Sequence, residues 1–349
     1  MKDKVLKYFA ASNSYGGFVS YFDRVFPSRE FGRIYVLKGG PGTGKSSFMR
    51  SVSKKLLVSG ATVEEIYCSS DPNSLDGIIA TNGENRIAVL DGTAPHERDA
   101  ITPGVTDEII NLGEFWDVRW LAAKRDEVLK TNHIKGEAYA TAYSYLSIAG
   151  KAEEKIKDIL RGSFDFSAAR AWVNKLIKEC CLERNAPIKT ALFSSFGKYG
   201  KYDLEIPTYL TKKQISIGGY EECAYFLLDI LTQIIKEKNA GAIVSYSPLD
   251  PTHTNTLILG GELCVTTHDG VETIDANEFI KNGFTLDKER IKKANEIHGD
   301  ALTEAARWFM IASDLHFRLE EIYSRAMDFE KIDMLTEKKH DEMEKILGL

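Results

Sequence analysis

The sequence predicts an α/β protein made of two tandem domains, each with a mainly parallel sheet flanked by helices. Three observations support this prediction. A buried strand runs into a glycine-rich loop and an amphipathic helix, other apolar strands end in polar residues, and a weaker copy of the same order follows later in the chain. We place the domains at residues 1–162 and 163–349.

The length, charge and cysteine content of the chain indicate which classes of protein to expect. A chain of 349 residues is long enough for two cores, and its net charge of −6 provides no general attraction to nucleic acid or anionic lipid. The five cysteines include no CxxC pair, which favours free thiols in a reducing cytoplasm. The first residues lack the apolar core of a secretory signal, and no apolar run approaches the ~18 residues of a membrane span. We therefore expect a cytoplasmic protein that binds neither nucleic acid nor membrane.

The strongest local signal is the segment RIYVLKGGPGTGKSSFMRSVSKKLL, residues 33–57. Its first five residues suit a buried strand, and the apolar residues after the loop recur at helical spacing. The loop matches the spacing G-x-x-x-x-G-K-[ST], in which backbone N–H groups and the helix N-terminus surround phosphate oxygens. The predicted phosphate-binding residues are Gly39, Gly40, Pro41, Gly42, Thr43, Gly44, Lys45, Ser46 and Ser47.

The residue types in this loop indicate their roles. Lys45 would contact the β- and γ-phosphates as a catalytic cation, and the Ser46 hydroxyl would bind Mg²⁺. The glycines allow backbone angles and a close approach that a Cβ atom would block. The strand before the loop and the helix after it complete the pattern, which resembles the P-loop NTPase superfamily.

Residues 86–91, RIAVLD, predict a second buried strand that ends in an acid. Asp91 is then placed to hold Mg²⁺ through water, in the manner of a Walker B aspartate. No glutamate follows Asp91, so the acidic pair of many motor ATPases is absent from this segment. Residues 62–71 predict a further strand that ends in small polar residues.

The second half of the chain repeats this order. Gly39 and Gly40 coincide with Gly218 and Gly219 at an offset of 179, since 219 − 40 = 179. Several further pairs follow in the same order, which predicts a tandem duplication, the alternative being an unrelated strand–turn–helix. The pairs are Tyr67 with Tyr246, Asp71 with Asp250, Asp91 with Asp269, and helix 138–159 with helix 301–322.

The second copy has lost the residues that bind phosphate and metal. Ala224 and Tyr225 stand where the first copy has Lys45 and Ser46, and Glu221 and Cys223 replace Gly42 and Gly44. We therefore expect a degenerate loop in the second domain.

Two loops offer candidates for acid–base chemistry. Asp71 and Asp76 lie in CSSDPNSLDG (68–77), where an acid could orient water, although Asp-Pro and Asp-Gly are also common turn sequences. His96 lies in residues 93–109, a segment about fourteen residues longer than its counterpart, since 178 − 164 = 14. It is a candidate general base in a loop that could cover the phosphates; a plain surface loop is the alternative.

The segments CSSDPNSLDG, LDGTAPH and INLGEFW, together with the two loops, resemble a prokaryotic family of tandem P-loop ATP-binding proteins that has no assigned substrate. The resemblance covers most of the chain. It implies two P-loop NTPase-like domains, the second with a degenerate loop, and binding of ATP with Mg²⁺.

Three functions remain open from the sequence. The first is a Mg²⁺-dependent ATPase whose second domain is regulatory or binds a partner. The others are a small-molecule or nucleotide kinase and a non-enzymatic ATP-dependent switch or scaffold. The partner beyond ATP, whether a small molecule or a protein, is not indicated, and a homo-oligomer remains an open alternative.

Overall fold

The chain folds into two compact units. The computed structural model describes residues 5–95, 98–270 and 272–349. Unit 1 contains the chain up to Ala11 together with Ser20–Thr141 and Arg307–Leu349, and unit 2 contains Ser12–Val19 and Ala142–Ala306. The predicted domain boundary between residues 162 and 163 separates the two halves of the sequence, whereas the two compact units are each made of more than one segment. That boundary stays a prediction.

The strands are short and regular, in keeping with their β-branched and aromatic residues. Their bounds are β1 (Leu6–Phe9), β2 (Ala11–Ser14), β3 (Gly17–Ser20), β4 (Arg33–Lys38), β5 (Thr62–Tyr67), β6 (Leu75–Asn82), β7 (Asn85–Asp91), β8 (Asp107–Asn111), β9 (Ile188–Thr190), β10 (Ser194–Gly197), β11 (Gly200–Asp203), β12 (Lys213–Gly218), β13 (Ala242–Tyr246), β14 (Thr254–Leu259), β15 (Leu263–Thr266) and β16 (Glu272–Asp275).

The helices include two very long ones, each followed by a sharp break. Their bounds are α1 (Phe22–Val25), α2 (Lys45–Val58), α3 (Val118–Ala123), α4 (Arg125–Ser163), α5 (Phe166–Ile177), α6 (Glu221–Glu237), α7 (Lys288–Ser324) and α8 (Phe329–Leu347). Short 3₁₀ turns occupy Ser28–Glu30, Leu112–Phe115, Thr208–Leu210 and Ala276–Phe279. Within the described ranges, the structure contains no helix with the length and apolarity of a membrane span.

Unit 1 contains a six-stranded mixed sheet with the order β1-β5-β6-β7-β4-β8. β4 lies parallel to both β7 and β8, and β1 lies parallel to β5. The predicted α/β class with mostly parallel sheets is confirmed at this level. The sheet is mixed because β6 runs antiparallel to both β5 and β7. The sequence predicted no strand over the residues of β6.

Unit 2 contains a sheet with the same topology. Its order is β16-β12-β15-β14-β13-β9, with β12 parallel to both β15 and β16 and with β14 antiparallel to both neighbours. The two sheets also share an irregularity in register, between Ile66 and Tyr67 in one and between Ser245 and Tyr246 in the other. These positions are 179 residues apart, the offset that the sequence repeat predicts.

Each sheet is covered by two helices over an apolar core. In unit 1, α2 and α8 pack together and against the sheet, and in unit 2, α6 packs against the sheet and against α5. The buried side chains include Leu37, Met49, Val52, Met343 and Leu347 in unit 1, and Val173, Leu228, Ile235, Val244 and Leu257 in unit 2. Both α8 and α5 begin at an aspartate N-cap, at Asp328 and Asp165.

The same backbone joint fixes α8 in unit 1 and α5 in unit 2. In unit 1 the Asp328 N–H donates to the Phe115 carbonyl over 3.1 Å. In unit 2 the Asp165 N–H donates to the Phe279 carbonyl over 2.7 Å. The helix that completes unit 1 therefore comes from the end of the second half of the chain, whereas the helix that completes unit 2 follows the first half.

Candidate functional site

The glycine-rich loop, residues 39–46, joins the buried strand β4 to the first turn of α2. Gly44 is the N-cap of α2 with a φ of 83°, and Gly42 has a φ of 69°. Both are left-handed conformations that favour glycine. A Cβ atom on Gly42 would also lie 2.4 Å from the Glu320 carbonyl oxygen, so this position leaves no room for a side chain.

Lys45 folds back over this loop. Its Nζ donates to the carbonyl oxygens of Gly39 and Gly40 over 2.8 and 2.9 Å, and lies 3.6 Å from the Asp91 carboxylate. The Thr43 hydroxyl donates to the Gly40 carbonyl over 2.8 Å and helps to fix the loop. Only 12% of the Lys45 side chain is exposed, so its ammonium group lies in a sheltered position beside backbone oxygens.

The remaining predicted loop residues lie around this lysine. The Ser46 hydroxyl oxygen accepts a hydrogen bond from the Leu75 N–H at the start of β6, over 3.0 Å. Pro41 is half-buried within the loop, and Ser47 is exposed in the first turn of α2. A Cβ on Gly39 would lie 2.6 Å from the Thr43 hydroxyl, which explains why a glycine stands there.

Asp91 is the last residue of β7. This strand lies parallel to β4, and Asp91 lies opposite Leu37. Its carboxylate accepts hydrogen bonds from the Thr93 N–H and hydroxyl over 2.9 and 2.5 Å. Burial raises the pKa of Asp91 above its usual range, although Lys45 and the Thr93 bonds act in the opposite direction. The site therefore holds a sheltered carboxylate and an ammonium group at the carboxyl ends of two neighbouring strands.

A second acid lies close to Asp91. The carboxylate of Asp76 contributes to the raised pKa of Asp91, and it also raises the pKa of the Cys68 thiol, where burial is the larger cause. Asp76 is buried because β6 already begins at Leu75. The sequence offers Asp76 as a candidate acid or as a turn residue before a glycine, whereas the structure places it in a strand beside the site.

Asp71 has the geometry of a turn residue. Its side chain accepts a hydrogen bond from the Asn73 N–H over 3.0 Å, and its carbonyl accepts one from the Ser74 N–H over 2.9 Å. This pattern is that of an Asx turn. A catalytic role for Asp71 stays a prediction.

The segment 93–109 is anchored where the structure describes it. His96 and Glu97 lie outside the described residues. Arg98 is buried, and its guanidinium donates to the Phe26 carbonyl over 2.6 Å, while Lys38 donates to the Arg98 carbonyl over 3.0 Å. The Asp107 carboxylate accepts hydrogen bonds from two backbone N–H groups of the same segment.

Aromatic residues that the sequence did not single out also approach the loop. The Trp116 and Tyr323 rings lie 5.6 Å apart between centroids, and both come within 3.6 Å of the place where Gly40 would carry a Cβ. Phe329, at the start of α8, lies 3.5 Å from the corresponding position on Gly44. Helical periodicity in α7 and α8 does not show which loop the aromatic residues of these helices approach.

The second loop, residues 218–225, is closed by side chains of the loop itself and of residues 275–277. Gly219 has a φ of 95°, and a Cβ there would lie 2.4 Å from the Asp275 carboxylate. The Tyr220 N–H donates to the Asn277 side chain over 3.0 Å. The Tyr225 hydroxyl donates to the Glu221 carboxylate over 2.6 Å.

The second loop also carries buried negative charge. Burial, with a smaller contribution from the carboxylates of Glu153 and Glu221, raises the pKa of Glu222 to about 7. Lys201 lies 3.2 Å from Glu221 and pairs with it. An acidic loop of this kind is a poor place for a polyphosphate.

Two groups of side chains offer metal-ligand atoms in unit 1. Ser46 and Asp91 offer the oxygen atoms that Mg²⁺ prefers. On α8, ligand atoms of His340, Asp341 and Glu344 lie within 4.8 Å of one another, but His340 contacts both carboxylates itself, at 3.7 and 3.6 Å.

Comparisons of the chain with protein-family models, with curated proteins and with solved structures gave no match.

Proposed function

We propose that unit 1 binds Mg·ATP at the loop of residues 39–46 and hydrolyses it, and that unit 2 binds no triphosphate. One observation carries this proposal. The Lys45 ammonium lies on two loop carbonyls at the N-terminus of α2, 3.6 Å from an aspartate on the neighbouring parallel strand. This arrangement is the one that the P-loop pattern requires.

The residues of the loop fit the charges of a triphosphate. The first N–H groups of α2 have no partner within the helix, and the positive end of the helix dipole favours an anion there. Lys45 would exchange its two carbonyl contacts for stronger bonds to ionised phosphate oxygens.

Mg²⁺ would be held by the Ser46 hydroxyl and, through water, by the Asp91 carboxylate. When bound, the ion neutralises charge on the phosphates. Burial raises the pKa of Asp91, but Lys45, at 3.6 Å, opposes this effect and favours the ionised form that a metal requires. Hydrolysis then adds water to the terminal phosphorus and breaks its bond to the bridging oxygen, and ADP and phosphate are released.

The decisive experiment compares Lys45→Ala with Lys54→Ala, an exposed lysine on the same helix. We expect Lys45→Ala to reduce phosphate release at saturating Mg·ATP by about 100-fold or more, because a preorganised cation is lost from the transition state. Lys54→Ala should retain wild-type turnover. Hydrolysis that is unchanged in Lys45→Ala would contradict the proposal.

The products separate the proposed ATPase from its alternatives. ADP released together with free phosphate supports hydrolysis. ADP formed only when a phosphate acceptor is added would indicate a kinase, and tight binding without any ADP would indicate a switch.

A further inference from the structure

A cavity of about 630 Å³ lies beside the glycine-rich loop in unit 1. It is lined by residues 114–117, which follow β8, and by residues 325–331, which join α7 to α8. Two backbone hydrogen bonds hold these walls together, from the Asp117 N–H to the Ala326 carbonyl over 2.8 Å and from the Asp328 N–H to the Phe115 carbonyl over 3.1 Å. The shape of the cavity is therefore set by the main chain.

Two of the lining residues also form walls of the loop. Trp116 lies 3.6 Å from the Cβ position of Gly40, and Phe329 lies 3.5 Å from that of Gly44. The rings of Trp116 and Phe329 therefore border both the loop and the cavity.

The sheet topology gives the direction in which such a ligand would extend. β4, which leads into the loop, has β7 on one side and β8 on the other. Lys45 and Asp91 lie together on the β7 side, at 3.6 Å, where the terminal phosphate and its metal belong. The opposite end of a nucleotide then points towards β8 and the cavity that follows it.

The lining groups suit a nucleoside. Phe329 is an exposed aromatic residue at 44% exposure, and Phe115 and Trp116 offer further ring faces. The Trp116 Nε1–H is buried and has no acceptor among the described residues, so a ring nitrogen of a base could accept its hydrogen bond. Arg325 lines the same cavity and has no carboxylate partner within the described ranges.

We propose that this cavity binds the base and ribose of the nucleotide whose phosphates occupy residues 39–46. The base stacks on the aromatic side chains of Trp116 and Phe329. The inference rests on the proposed function, because it assigns the nucleoside end of the same ligand. It also gives the helix α8 a role in ligand recognition.

The test compares two ligands that share their phosphates and differ in the nucleoside. Binding of a non-hydrolysable ATP analogue and of inorganic tripolyphosphate, each with Mg²⁺, is measured by calorimetry. We expect Trp116→Ala and Phe329→Ala to weaken binding of the ATP analogue by about 10- to 100-fold, the range for loss of a base-stacking side chain. Binding of tripolyphosphate should stay at the wild-type value in both variants. Phe317→Ala, an exposed aromatic on α7 outside the cavity, is the matched control.

The remaining outcomes overturn the inference in distinguishable ways. Equal weakening of both ligands would mean that the aromatic residues only support the loop. Unchanged binding of the ATP analogue in Phe329→Ala, whose side chain is 44% exposed, would exclude base stacking at this place. If the wild-type protein binds neither ligand, the proposed function fails as well.

Discussion

The two glycine loops of this protein follow equivalent strands in sheets of the same order, yet their side chains and hydrogen bonds differ. In the first loop, residues 39–46, a lysine rests on carbonyl oxygens and two glycines are left-handed. In the second, residues 218–225, the main-chain N–H of Tyr220 and the hydroxyl of Tyr225 are already bonded to side chains of the protein. The fold therefore tolerates loss of the loop chemistry.

The strand beside each loop also differs between the units, because it reaches an aspartate in unit 1 and ends before one in unit 2. β7 continues to Asp91, which is buried to the point that only 15% of its side chain is exposed. β15 ends at Thr266, three residues before Asp269, the counterpart of Asp91, and Asp269 is exposed. Asp91 lies opposite Leu37, whereas Thr266 lies opposite Ser216, the counterpart of Leu37 at the offset of 179. We propose that both loops arose by duplication and that only the first kept a ligand.

The largest expected difference between the two copies is at these aspartates. Asp91→Asn should reduce Mg²⁺-dependent ATP hydrolysis by about 100-fold or more, because the amide keeps the shape but loses the charge that holds the metal. Asp269→Asn should leave turnover and its Mg²⁺ dependence unchanged. Phosphate release across a Mg²⁺ titration checks both, and equal effects of the two substitutions would contradict the assignment of the site to unit 1.

The sequence was sufficient to predict the strand, loop and helix that present Lys45, because each has a local signal. The spacing of glycines, the apolar run before them and the amphipathic helix after them involve residues close in the chain. Asp91 was predicted for the same reason. The structure places both within 3.6 Å of each other.

The partners from distant parts of the chain could not be predicted. Phe329 lies beside the loop because α8 packs in unit 1, and an amphipathic helix alone does not show which of the two sheets it covers. Trp116 lies beside the loop because β8, which precedes it, pairs with β4. Asp76 was named as a candidate acid in a turn, but its place in a strand beside Asp91 was not predicted, because it depends on the β-hairpin that turns the chain back at residues 83 and 84. Such contacts depend on topology rather than on local sequence.

A smaller expected difference between the two copies is a dependence of folding stability on pH, caused by Glu222 in the second copy. Glu222 stands where the first copy has Thr43, and its pKa is raised to about 7 from the usual 4.5, first by burial and then by Glu153 and Glu221, with Lys157 opposing them. The folded state therefore holds its proton more tightly than the unfolded state. Stability should fall as the pH rises from about 4.5 to about 7 and stay lower above that.

Glu222→Gln should remove this pH dependence. At pH 8 the variant should be more stable than the wild type by at most about 3 kcal/mol, and the gain should shrink towards pH 5, because the wild-type glutamate is then neutral in the folded state. Urea unfolding at the two pH values measures the effect, with the exposed Glu205→Gln as a control. A gain that is as large at pH 5 as at pH 8 would show that the acid is not the cause.

The smallest expected effect is that of rebuilding the second loop. The substitutions Ala224→Lys and Tyr225→Ser restore the lysine and hydroxyl of the first copy, but they leave the obstacles to phosphate binding in place. The Tyr220 N–H remains bonded to Asn277, and the Asp275 carboxylate remains beside Gly219. Loss of Tyr225 also removes the hydroxyl that donates to Glu221, which leaves that carboxylate with less compensation.

We therefore expect the double substitution Ala224→Lys/Tyr225→Ser to create no second nucleotide site. Calorimetry with a non-hydrolysable ATP analogue and Mg²⁺ should give one site per chain in the wild type and in the rebuilt protein. In a Lys45→Ala background, where the first site is impaired, the rebuilt protein should bind no more tightly than Lys45→Ala alone, because Glu221 and Glu222 still repel the phosphates. Saturable binding that appears only in the rebuilt protein would show that two side chains were the whole difference between the copies, and that the acids and the closed backbone of the second loop are no barrier.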